Sequence, residues 1–167
     1  RQRQMCIRDR YDTGECNGLG VIEKKIEKSS PVEFVLIALG TNDVKIKYGP
    51  PDAADVVDGI DKMVSIIKSG NSGARPILLT PPPLGNVTSG DLAGAQDRIP
   101  PVVEEYLCYA TTQHIPIIDL YATMHADTDL EPDGVHLNTS GRSRVAGIVR
   151  GNLLSLRAEP PGFLSSK

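Results

Sequence analysis

The chain has 167 residues, with 18 Lys and Arg against 21 Asp and Glu, a formal charge of -3, 40% hydrophobic residues, 16 Gly, 13 Pro and no Trp. This composition describes one ordinary globular domain and excludes collagen, coiled coil and a disordered polymer. No apolar run approaches the roughly 20 residues of a membrane-spanning helix, and outside the first ten residues no block of Lys and Arg offers a phosphate-binding surface, so neither a membrane nor nucleic acid is expected as a partner.

Arg1 to Arg10, RQRQMCIRDR, carries four Arg and one Asp with no helical or strand period, and the composition changes at Tyr11. Back-translating Arg3 to Arg10 gives a DNA sequence that resembles the transposon end used to prepare sequencing libraries. We read residues 1-10 as a non-native segment; a basic arm for an acidic partner is the competing reading. An open frame that runs out of such a scar is expected to have lost its true start, and on that reading the residues present fix no compartment. Cys6, Cys16 and Cys108 are odd in number and fit no paired-ligand spacing, so neither a disulfide framework nor a zinc site is expected.

Asn17 can cap a helix in which Leu19, Ile22 and Ile26 recur at helical spacing through Lys28, until Ser29, Ser30 and Pro31 stop the pattern. Glu33 to Leu39 is a near-continuous apolar run before Gly40, as in a parallel strand buried on both faces. Asp52 caps a second helix, with Val56, Ile60, Met63, Val64 and Ile67 on one face and Gly70 at its end. Pro76 to Thr80 reads as the next strand. The proline run 81-83 and a polar, Gly-containing loop lead to a helix with Val103, Tyr106, Leu107 and Ala110, where Pro101 is tolerable only in the first turn. Ile115 to Leu120 is a third strand. A loop to about Asn138 precedes a last helix with Val145, Ile148, Val149, Leu153 and Leu156 inward.

Helices alternating with apolar strands predict a doubly wound parallel α/β sheet, one domain over 11-157 and a tail over 158-167. In such sheets ligands bind beyond the carboxyl ends of the strands, in the loops after Leu39, Thr80 and Leu120. The first of these loops holds Gly40-Thr41-Asn42-Asp43, where Asn42 offers a neutral amide donor at the sheet's mouth, or simply forms the turn. The last holds Asp133-Gly134-Val135-His136. A carboxylate three residues before an imidazole can fix its tautomer and steady the imidazolium while the other nitrogen takes a proton; alternatively Asp133 caps an Asx-turn and His136 is an ordinary polar residue.

Together these two blocks resemble the SGNH hydrolases, the Gly-Asp-Ser-Leu esterases, which carry a Gly-x-Asn-Asp turn and a late Asp-x-x-His. Asn17-Gly18 before the first helix, LIALGTNDVK at 36-45 and TPPPL at 80-84 are similar to the arylesterase-like branch in order and spacing. The resemblance implies the family's three-layer, flavodoxin-like fold, lacking its first strand or strands. It implies His136 as general base, Asp133 as its orienting partner, Asn42 as an oxyanion-hole donor, and Thr41, Lys45 and Val135 as pocket walls, with Lys45 equally readable as a solvated charge. The Pro81-Pro82-Pro83 run would stiffen the cleft rim or act as a plain connector.

The family's Gly-Asp-Ser-Leu block is absent, and none of the 11 serines follows a predicted strand in a nucleophile turn; Ser140 falls at the start of the last helix. The expectation is therefore a serine esterase of small acyl esters, working through an acyl-enzyme without metal or cofactor, here truncated ahead of its nucleophile and inactive. The intact parent can be a homo-oligomer. A carbohydrate or lipid deacylase on the same fold and a noncatalytic α/β binding domain stay open as alternatives.

Overall fold

The computed structural model describes residues 18-29, 31-46, 53-70 and 73-158. The Arg1-Arg10 segment, Cys6, Cys16, the caps expected at Asn17 and Asp52, and the tail beyond Ala158 lie outside the described residues. In chain order the elements are α1 (Gly18–Ser29), β1 (Phe34–Ala38), α2 (Ala53–Ser69), β2 (Arg75–Leu79), a 3-10 turn (Ala95–Asp97), α3 (Ile99–Thr112), β3 (Ile117–Ile118), α4 (Leu120–Thr123), α5 (Ala126–Asp129) and α6 (Thr139–Ala158).

The three strands form a parallel sheet in the order β1-β2-β3. Ile37 lies beside Leu78, and Leu79 beside Ile118. Because side chains alternate across a strand, β2 feeds both layers: Leu78 belongs to the core made with α1, α2 and α3, whereas Ile77 and Leu79 join Ile118, Leu120 and Met124 beneath α6. Pro76 is tolerated because β3 pairs with β2 only from Leu78 onward, so its missing N–H costs no bond on that side. The α/β three-layer expectation is met.

The predicted apolar stripe of α2 is buried throughout, from Val56 to Ile67. In α3, Val103, Tyr106 and Ala110 are buried, and Pro100 and Pro101 fall in the first turn, where a missing N–H is harmless. The inward residues of α6 are only half-buried, although they pack where expected. This helix is tied down at its far end instead: Arg75 donates to the Leu156 carbonyl at 2.9 Å while stacking over the Phe34 ring, and Arg157 pairs with Glu33. Arg157 is thus part of the helix.

Three sequence expectations need correction. The third strand is two residues long, not six, because Asp119 caps α4 by accepting the Ala122 N–H and turns the chain away from β2. The stretch to Asn138 is not a plain loop but holds α4 and α5. Finally, β1 is not buried on both faces: Ile37 is buried, but Leu36 is 42% exposed, and among the described residues no strand pairs with β1 on the side away from β2.

Candidate active site

The turn after β1 closes with the Asp43 N–H donating to the Gly40 carbonyl at 3.2 Å. Gly40 has φ +108, and a Cβ there would lie 2.9 Å from Pro81 Cγ, so the position is closed to other residues both by backbone conformation and by the ring seated against it. Helix α3 holds this turn on both sides. The buried Tyr106 hydroxyl donates to the Leu39 carbonyl at 3.0 Å just before it, and Arg98 Nε donates to the Val44 carbonyl at 2.8 Å just after it. Among the described residues the Asn42 side-chain amide bonds to nothing, so it is not consumed by the turn it sits in, and it faces a groove.

The segment before α6 is tied to itself. Glu131 N–H donates to the His136 carbonyl at 2.7 Å, Leu130 bridges Leu137, and Asn138 Nδ2 donates to the carbonyls of Thr128 and Leu130. Within it, Asp133 makes both kinds of contact that the sequence left open, the turn cap and the pairing with the imidazole. Its Oδ1 accepts the backbone N–H groups of Val135 and His136, each at 2.9 Å, and its Oδ2 meets His136 Nδ1 at 2.6 Å. These donors, the His136 N–H first, then its ring and the Val135 N–H, hold the Asp133 carboxyl down at about 2. With Nδ1 engaged by Asp133, Nε2 is the ring nitrogen without a partner among the described residues. The pair is solvent-accessible, at 71% exposure for the His136 side chain and 50% for that of Asp133.

A groove of about 660 Å³ runs from α1 along the open side of β1 to the sheet's carboxyl end. There it brings together Thr41, Asn42, Lys45, Val135 and His136; five of the six site residues named from sequence share one cavity. Asp133 lies behind His136 and lines an adjoining polar pocket of about 410 Å³, which shares Lys45, Leu92 and Val135 with the groove. The sequence reading missed this second pocket. Its wall, Asn86 to Leu92, is a polar loop without period, and only its position after β2 at the sheet's carboxyl end marks it out. Lys45 is half-buried between the two cavities. No serine lines the groove among the described residues, whereas Ser89 lines the polar pocket. Also among the described residues, no three His, Cys, Asp or Glu side chains gather as metal ligands, and no helix is long and apolar enough to cross a membrane.

Residues 10–144 match the model of the GDSL-like lipase/acylhydrolase family. The chain belongs to that family. Its fold is similar to a carbohydrate acetylesterase from Sinorhizobium meliloti and to an aryl esterase from M. smegmatis, each 20% identical with a TM-score of 0.77, covering 90% of this chain and 73% of the other. A lipase/acylhydrolase from Enterococcus faecalis is 25% identical at a TM-score of 0.66, over 82% of this chain and 68% of that one. No curated protein sequence matches the chain.

Proposed function

We propose that this chain carries the proton-transfer and oxyanion-binding parts of a serine carboxylic-ester hydrolase. The observation that carries the reading is the 2.6 Å contact between Asp133 Oδ2 and His136 Nδ1 at the end of a groove that also presents the unengaged amide of Asn42. In the reaction a serine hydroxyl adds to the ester carbonyl as its proton passes to His136 Nε2. The imidazolium formed is steadied by Asp133, and Asn42 donates to the oxyanion. Collapse expels the alcohol, which takes the proton from Nε2, and leaves an acyl-serine. Water then repeats the cycle and releases the acid. No step requires a metal or cofactor.

Thr41, Lys45 and Val135 would wall the reacting ester, and small acyl esters fit this reading best. The nucleophile is assigned to the family's Gly-Asp-Ser-Leu segment, which this chain lacks and which would supply the serine to the open side of β1. On this reading the chain by itself is inactive. The test compares the purified chain with a version joined to that segment from the intact parent, using an aryl acetate and a serine-directed phosphonate. Turnover and labelling confined to the joined protein support the proposal. Labelling of Ser89 in the chain itself would instead place the nucleophile in the polar pocket, and a joined, folded protein without turnover would favour a noncatalytic binding domain.

A further inference from the structure

The segment Pro81–Gly85, which follows β2, touches both loops of the candidate site. At one end the Pro81 ring sits against Gly40, so closely that a Cβ on Gly40 would lie 2.9 Å from Pro81 Cγ. At the other end Gly85 N–H donates to the Gly134 carbonyl at 2.8 Å, and the two backbones are in direct contact: a Cβ built on Gly85 would lie 3.0 Å from Gly134 Cα, and one on Gly134 3.3 Å from Gly85 Cα. Gly134 itself has φ +70, so it meets both demands of the place at once, conformation and close approach. Between the two contacts stand Pro82, Pro83 and Leu84, and both prolines, like Pro81 before them, have φ fixed near -65°.

We propose that Pro81–Gly85 is a positioning strut that sets the distance between the turn bearing Asn42 and the loop bearing His136. Gly40 is two residues from Asn42, and Gly134 is two residues from His136. The strut makes contact with the backbone at both points, and its rigid interior keeps the two loops from moving toward or away from each other independently. Anchorage at its start is equally firm: Thr80 is buried, its N–H donates to the Ile118 carbonyl at 3.1 Å, and its hydroxyl donates to Asp119 at 3.0 Å. Strut function gains its catalytic meaning from the proposed function, because a donor for the oxyanion and a base for the nucleophile must be spaced to fit one reacting carbonyl. The spacing itself is measurable without turnover, so the two readings fail separately.

The test uses the full chain and amide NMR. In Gly85→Ala the added methyl separates Gly85 from Gly134, so the amides of Gly134, Val135 and His136 shift while those of Leu78 and Ile118 in the sheet keep their positions. A merely structural role for Gly85 would lower the melting temperature without this localised signature. In the double variant Pro82→Ala/Pro83→Ala the contacts at both ends are kept but the interior is freed. Exchange of the Gly85 N–H with solvent deuterium, which reports the bond to Gly134 directly, then rises by about fivefold, with Thr80 N–H exchange unchanged. A folded Gly85→Ala protein with parental shifts at Gly134 to His136 overturns the proposal. Should that variant fail to fold, unchanged Gly85 exchange in the double-proline variant overturns it equally.

Discussion

Asp133 and His136 are joined twice by one carboxylate: Oδ1 accepts the His136 backbone N–H at 2.9 Å, and Oδ2 meets the Nδ1 of the same residue at 2.6 Å. The first bond fixes where the backbone of His136 stands relative to the carboxylate, and the second fixes how its ring is turned. A side chain 71% exposed thereby acquires a defined orientation without burial.

In the joined, active protein, His136→Ala and Asp133→Ala should each lower kcat by orders of magnitude, about 10⁴-fold in the manner of catalytic triads, with the double variant little worse than His136→Ala alone. Thermal melting of His136→Ala should move little, because its side chain lies outside the apolar cores, whereas Asp133→Ala also removes the acceptor of two backbone N–H groups and should melt lower. Near-normal turnover of an aryl acetate by folded His136→Ala would remove it from the role of base.

In the joined protein Asn42→Ala should cost about 3 kcal/mol in kcat, the usual size for one oxyanion-hole donor, and change KM little, since the oxyanion develops only after the bound ester is attacked. A variant with weakened binding and normal kcat would move Asn42 to substrate recognition.

The Asp133 carboxyl, with its pKa lowered from 3.8 to about 2, stays ionised far into acid. A lowered carboxyl stabilises the folded state above its unfolded value, and that contribution is lost as pH falls from about 4 toward 2. Carbon-detected titration should find its midpoint near 2. In His136→Ala the two backbone donors remain, so the midpoint should rise only part of the way to 3.8; a return to the full ordinary value would mean that the imidazole alone holds it down.

Tyr106→Phe, at a fully buried side chain, leaves the half-buried Leu39 carbonyl without its 3.0 Å donor. The expected cost is about 1–2 kcal/mol in urea unfolding, with Asn42 resonances shifted because one end of its turn has been released. A loss of stability with Asn42 unmoved would limit Tyr106 to packing.

Leu36, 42% exposed on a strand whose outer edge is unpaired among the described residues, is a template for intermolecular pairing. Leu36→Lys should lower self-association of the chain in light scattering at equal concentration, and unchanged scattering would place the association elsewhere.

Apolar periodicity made most of the fold legible. The α2 stripe from Val56 to Ile67 and the strands around Ile37 and Ile77 follow directly from spacing, since each buries a face that water would otherwise meet. The end of the third strand was not legible: Ile115 to Leu120 reads apolar, yet strand length there is set by how far β2 reaches and by the Asp119 cap, both matters of tertiary context. In the site, spacing alone put Asp133 and His136 together, because a three-residue separation is a local distance. Gly85 was illegible because its partner, Gly134, is remote in sequence, and nothing about a glycine after prolines says what it will touch.

Tyr106 and Arg98 grip the chain at Leu39 and Val44, on either side of Gly40 to Asp43, and both belong to α3 or the turn leading into it. The Asn42 turn is therefore carried by a helix rather than by the chain that continues beyond it. Insertions after Ile46 should leave Asn42 in place. A single residue inserted in α3 between Arg98 and Tyr106 would rotate the two grips about 100° apart and dislodge the turn. A constraint on chain length thus lies more than 50 residues downstream of the turn it supports.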